Sequence, residues 1–251
     1  MNLFGFRSTG TLKGLPGRLY DLKQSREKVV TEANFNNSSL KILRKFEEKG
    51  YDRSVLESFF VAPDELTASR FWIPSIPAST MAKCFDVEKD VRPNCLVLHY
   101  KAKIVAPKEG TYRFVGFGDD FLGIKCDGKL ILPFDRKGSR VYLRGEKAGA
   151  LYEVTKKGHA VSDPVRLSKN QGCDFEVVLS KWSGGLTGFS LLVEREEDLP
   201  KYKRTPEGLP IIPIFETDIS APIPEDAGRP GMPTVLPEYD PVRLVWKVLK
   251  N

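Results

Sequence analysis

Two adjacent carboxylates, Asp119 and Asp120, follow the run Gly116-Phe117-Gly118. Side by side they repel unless a cation or hydrogen-bond donors offset the charge. Hard oxygen ligands on a glycine-bearing loop favour a divalent cation, so Asp119 and Asp120 are the candidate metal ligands and calcium the candidate cofactor. The plainer reading is a solvated acidic turn, or one aspartate accepting bonds from nearby backbone N–H groups. A carboxylate pair could also run acid–base hydrolysis if its surroundings separate the two pKa values; Asp119, Asp120 and Asp127 are the candidates for that. Other chemistries lack their residues. The two histidines are His99, among lysines on an expected wet strand face, and His159, in a loop after Lys156-Lys157-Gly158. No nucleophile elbow, H-E-x-x-H, P-loop or G-x-G-x-x-G occurs, which disfavours triad hydrolases, zinc proteases and nucleotide binding. Cys84, Cys95, Cys126 and Cys173 contain no C-x-x-C pair; two disulfides and buried free thiols both fit them.

The elements that must position the acidic pair are strands. Leu98, Tyr100, Ala102 and Ile104 alternate with His99, Lys101 and Lys103, so residues 97–105 are expected to have one buried and one wet face. Pro107-Lys108-Glu109-Gly110 is a turn, and residues 111–117 form a second strand rich in aromatic and β-branched side chains. Residues 121–126 form a third, and Asp127-Gly128 turns it into a return strand at 129–132. Upstream, three glycines from Gly10 to Gly17 predict a flexible lead before a short strand at 19–23. Residues 38–49 predict a helix with Leu40, Ile42, Leu43 and Phe46 as its apolar stripe, Asn37 or Ser38 as cap and Gly50 as stop. A helical turn at 53–58, short strands at 59–61 and 70–74, and a loop at 76–80 complete the first third. Strands are also expected at 141–143 and 150–154. Nine prolines from Pro206 to Pro241 predict an extended tail whose apolar stretches, 211–215 and 242–249, dock on the domain.

Pro107, Gly110-Thr111-Tyr112, Asp119-Asp120 and Asp127-Gly128-Lys129 occur in the order of a known pattern. The stretch resembles the PA14 family, a β-sandwich module of bacterial toxins, glycosidases and fungal adhesins. Residues 175–179, Gly184-Gly185 and residues 189–193 resemble its later strand, glycine-rich loop and final strand. The resemblance implies a mainly β, PA14-like antiparallel sandwich over residues 71–199, preceded by an extension (1–70) carrying the helix and followed by the proline-rich tail (200–251). In sugar-binding members the Asp-Asp pair holds Ca²⁺ and a second loop adds an Asn or Asp; here that loop, residues 181–187, supplies neither. The function implied is a non-enzymatic module of an exported or cell-surface protein that binds a glycan or glycoprotein. Asp119 and Asp120 would be its polar contacts, and Phe117, Phe121 and Trp182 would flank a sugar face.

Composition sets outer bounds. With 41% hydrophobic and 29% charged residues the chain is an ordinary globular sequence, and no run is long and apolar enough to span a membrane. The first residues lack the apolar core of a signal peptide, so an export segment is expected to lie outside this chain. The inventory leans against an enzyme; the alternative is a carboxylate-dependent hydrolase of glycoprotein or peptide acting through Asp119 and Asp120. The net charge of +6 adds a further alternative. Lys41, Arg44, Lys45 and Lys49 on the helix, with Lys201, Lys203 and Arg204, would hold DNA or another polyanion at low salt if the fold brings them together.

Overall fold

The computed structural model describes residues 3–7, 13–31, 37–118, 120–133, 160–204, 210, 212–218 and 244–249. The expected strands at 141–143 and 150–154 lie outside them. The chain begins with β1 (Phe6–Arg7) and β2 (Leu15–Ser25), then α1 (Asn37–Glu48) and a 3-10 turn (Arg53–Leu56). Next come β3 (Phe59–Val61), β4 (Leu66–Ala68), β5 (Trp72–Pro77) and α2 (Ser79–Cys84). The motif-bearing stretch forms β6 (Leu96–Val105), β7 (Gly110–Gly118), β8 (Phe121–Cys126) and β9 (Lys129–Leu132). β10 (Ala160–Val161), β11 (Val165–Leu167), β12 (Gly172–Lys181), β13 (Leu186–Arg195) and β14 (Lys247–Leu249) follow.

Two antiparallel sheets pack face to face. Among the described residues one has nine strands, in the order β1-β4-β2-β6-β12-β8-β9 with β3 on β2 and β14 on β6. The other has five, β10-β7-β13-β5 with β11 on β7. Strands adjacent in sequence mostly do not pair. β6, β7 and β8 alternate between sheets, and of the motif strands only β8 and β9 form a hairpin. Asp127 at its turn has φ +47 and Gly128 φ +76, the left-handed backbone that such a turn demands.

Period two gives the larger sheet two apolar faces. Leu98, Tyr100, Phe175, Val177 and Leu179 face the smaller sheet within one core that also holds Tyr112 and Phe114. Val97 and Val178 face outward, where Leu43 and Phe46 of α1 cover them with Tyr20, Leu22 and Phe121. Gly50, at φ +63, ends that helix as expected. His99 shares the covered face. It is fully buried, so the expectation of a solvated histidine is corrected: α1 roofs what alternation alone marks as the wet side. The lead before residue 19 is also corrected, since β2 is a long strand lying between β4 and β6. The loop expected at 76–80 instead ends β5 and starts α2.

The described residues of both apolar stretches of the tail dock. Phe215 and Trp246 enter the inter-sheet core beside Tyr112, Phe114 and Phe175, with ring centroids 4.8–6.0 Å apart. Ile212 and Ile214 cover the outer face of the smaller sheet at Trp72, Val115 and Leu192. The four cysteines form no disulfide; Cys126 and Cys173 are buried with their sulfurs 3.3 Å apart. No helix among the described residues is long and apolar enough to cross a membrane.

Candidate functional site

Asp120 lies where the chain crosses from β7 in the smaller sheet to β8 in the larger. At the same end the chain crosses back, through residues 182–185, from β12 to β13. One carboxylate oxygen joins the two crossings. Asp120 Oδ2 accepts the backbone N–H of Trp182 (2.7 Å) and of Ser183 (3.3 Å), and Lys181 Nζ stands 3.1 Å from it. The plainer expectation for this aspartate is therefore met in kind, although the N–H groups come from a turn some sixty positions away. Oδ1 accepts no hydrogen bond among the described residues, and the side chain is 22% exposed. Asp119 and the side chain of Phe117 lie outside the described residues.

The turn itself is open. Residues 183–186 are exposed, Gly185 adopts φ +85, and a side chain at Gly184 or Gly185 would meet nothing within 4 Å. Trp182 is half-buried, its carbonyl accepting the Cys95 N–H at 3.2 Å. Phe121, expected at the sugar face, is 2% exposed and stands behind Trp182 at 6.4 Å and 74°. It supports the indole instead of meeting a ligand.

Calcium does not fit the described residues. Oδ2 of Asp120 is taken by two amides and an ammonium, and Oδ1 alone falls far short of the roughly 6–8 oxygen ligands that calcium takes. Lys181 is itself only 2% exposed, and a buried cation of that kind needs a carboxylate partner. A divalent ion sharing Asp120 would sit against this fixed positive charge. The resemblance did not expose this role, but the sequence carries its signal: period two puts Lys181 on the core-facing side with Phe175, Val177 and Leu179.

Asp120 and Asp127 flank opposite ends of β8, seven residues or about 23 Å apart along a strand. Carboxylate pairs in glycoside hydrolysis stand about 5–9.5 Å apart, so these two cannot act together. Asp127 has a structural task, Oδ1 accepting the Asp174 N–H at 2.8 Å. A charged cluster missed in sequence is buried under α1. There Glu176 bonds His99 Nε2 (2.7 Å) and Lys125 (2.8 Å), while Arg53 donates to His99 Nδ1 (3.3 Å) and Lys125 reaches the Gly50 carbonyl. It pins the helix end to the sheet and is closed to a ligand. The basic residues do not converge. Lys41, Arg44, Lys45 and Lys49 ride on α1 outside the larger sheet, whereas Lys201, Lys203 and Arg204 follow β13 in the smaller one.

No protein-family model and no curated protein matches the chain. Several solved structures are similar. The PA14 domain of the MpAFP antifreeze protein is 13% identical over 81% of this chain and 87% of that one, with a TM-score of 0.47. The PA14 sugar-binding domain of an RTX adhesin is 10% identical over 74% and 92%, at 0.45. The A domain of epithelial adhesin 6 from Candida glabrata, in complex with Galb1-3GlcNAc, is 12% identical over 77% and 85%, at 0.41. These three likenesses are to PA14 and adhesin domains, and at such identities and TM-scores they assign no role to this chain.

Proposed function

We propose that the corner built from Asp120, Trp182 and the exposed 183–186 turn binds a glycan without calcium. A module of this kind serves an exported or cell-surface protein, which is the location we propose. The observation that carries the reading is the fixing of Asp120 by Lys181 and the Trp182 and Ser183 amides. It leaves Oδ1 as an acceptor beside a half-exposed indole and an open turn. A sugar offers hydroxyl donors on its edge and apolar C–H groups on its face, so a fixed carboxylate oxygen next to an aromatic plane is complementary to it. In this arrangement the Lys181 ammonium holds the carboxylate in place. Two of the similar structures are described as sugar-binding or sugar-bound, which sets the ligand class to try first.

A glycan array screened in calcium and again in EDTA tests the reading. Binding to one glycan class is expected, unchanged by EDTA. Trp182→Ala should weaken it by about 10-fold or more, the loss typical of a buried aromatic anchor. Absence of binding to every glycan sinks the proposal; binding that EDTA abolishes sinks its calcium-free part.

A further inference from the structure

Beside this corner, at the same end of the larger sheet, a cavity of about 260 Å³ opens to solvent. Its inner wall is the end of β2, and its rim is the loop preceding β6. The wall grips the rim by its backbone. Lys23 Nζ donates to the carbonyls of Arg92 (3.2 Å) and Asn94 and pairs with Asp21. Gln24 Nε2 donates to Asp21 Oδ2 (2.8 Å) and to the Asp90 carbonyl (3.1 Å). With three carbonyls tied to β2, the side chains of Asp90, Arg92 and Asn94 remain to line the opening.

Those side chains are under-used by the protein itself. The Arg92 guanidinium makes no hydrogen bond or ion pair with any described residue, and the Asn94 carboxamide oxygen accepts none. Among the described residues Asp90 pairs only with Lys28 at the edge, at 3.0 Å. Asp21 is 1% and Lys23 7% exposed. Val30, which pairs with Gln24, also lines the opening and is 66% exposed. Unused donors and acceptors beside an exposed valine, in a volume near the lower edge of the ~300–1,000 Å³ usual for small-molecule sites, suit a single sugar ring.

The two sites share one row of the sheet. Asp21 is opposite Leu96, and Leu96 is opposite Lys181. Cys95 bridges them, giving its carbonyl to the Leu22 N–H (3.1 Å) and its N–H to the Trp182 carbonyl (3.2 Å). β2 and β12 are two interstrand spacings apart, about 10 Å. We propose that the cavity is a second saccharide subsite, holding a ring of the same glycan whose other end lies on the Asp120–Trp182 corner. The ligand class rests on the glycan reading of that corner.

Titrating the protein with galactose, glucose and mannose, and with tetrasaccharides of each, while following amide and indole NMR shifts, separates the two claims. The tetrasaccharide of one series should move Arg92 and Asn94 together with the Trp182 indole. Arg92→Ala combined with Asn94→Ala should lower tetrasaccharide affinity about 10-fold or more while leaving the monosaccharide's affinity for the corner unchanged. Arg92→Lys with Asn94→Gln, which keeps the donors, serves as the check that any loss is not misfolding, along with an unchanged thermal midpoint. Shifts at Trp182 without shifts at Arg92 and Asn94 overturn the subsite and leave the corner standing. Shifts at Arg92 and Asn94 alone keep the cavity as a saccharide site and overturn the corner. No shift at either overturns both.

Discussion

At the scale of single residues, His99 shows how far a neighbouring element can reverse a local pattern. Arg53 can only donate, so Nδ1 accepts, and the Nε2 proton points at Glu176. Burial lowers the His99 pKa, outweighing the bond to Glu176 that would raise it, and the Arg53 charge acts in the same direction as burial. For Glu176 burial opposes ionisation, yet the bonds from His99 and Lys125 hold its carboxyl down to about 2. Both groups thus bind protons more weakly folded than unfolded, and each contributes stability that is lost as pH falls. His99 acts first, below about 6.5. Glu176 follows, from 4.5 toward 2, with on the order of 3 kcal/mol at stake. Thermal midpoints should hold between pH 8 and 7 and decline on acidification below about 6.5. Glu176→Gln should lower the midpoint at pH 7 and flatten the decline below pH 4.5. A midpoint constant from pH 7 to 4 would refute the coupling. The histidine's alternation with lysines said where its side chain points along β6, but not that α1, some fifty positions upstream, would cover that face.

Among the elements, strand existence was readable and strand partnership was not. The runs forming β6 to β9 carry period-two alternation and turn residues, and the structure places all four within a residue or so of the expected bounds. Turn chemistry says that a chain reverses; it does not say that the next strand joins the opposite sheet. α2 was missed because six residues are too few to show a helical period, and no side chain caps its start. β2 was shortened in the reading because glycines at its beginning suggest flexibility. Gly17 has a packing reason instead: a Cβ there would lie 2.4 Å from the ring of Tyr100, whose hydroxyl donates to the Phe4 carbonyl at 2.6 Å. Gly17→Ala must displace a fully buried ring, and overpacking of this type costs about 1–3 kcal/mol. At roughly 2–4 °C per kcal/mol for a chain of this size, calorimetry should show a drop of several degrees. Gly184→Ala, in open space, should leave the midpoint in place. Equal midpoints for the two variants would contradict the packing described.

For the molecule as a whole, segments read as an extension and a tail contribute to the sandwich. Composition marked the tail as extended; only the assembled sheets show the gap between Tyr112, Phe114 and Phe175 that Phe215 and Trp246 fill. Trp246 is 1% exposed, and cutting so buried a ring back to alanine costs about 3–5 kcal/mol. Urea unfolding of Trp246→Ala should show that loss in its midpoint, whereas an unshifted midpoint would mean that the segment does not dock. Assembly also explains why summed charge misled: basic groups that look like one patch along the sequence ride on different layers. At the candidate site, Asp120 and Trp182 were legible as neighbours of a turn, while the burial of Lys181 beneath them needed both crossings in place.

One edge of β6 is shared end to end by β2, opposite residues 96–100, and by β14, opposite residues 103–105. The ribosome delivers these two partners about 220 residues apart, β2 ending at Ser25 and β14 starting at Lys247. Until residue 249 has cleared the exit tunnel, three positions of β6 have no partner along that edge, and the aromatic gap stays unfilled. Earlier strands can form while translation proceeds, but this edge of β6 is completed only when β14 arrives, about 140 residues after β6 ends. Folding that waits on such distant contacts is slow and leaves an unpaired edge exposed meanwhile; for this protein that interval, rather than the finished fold, is when aggregation threatens most.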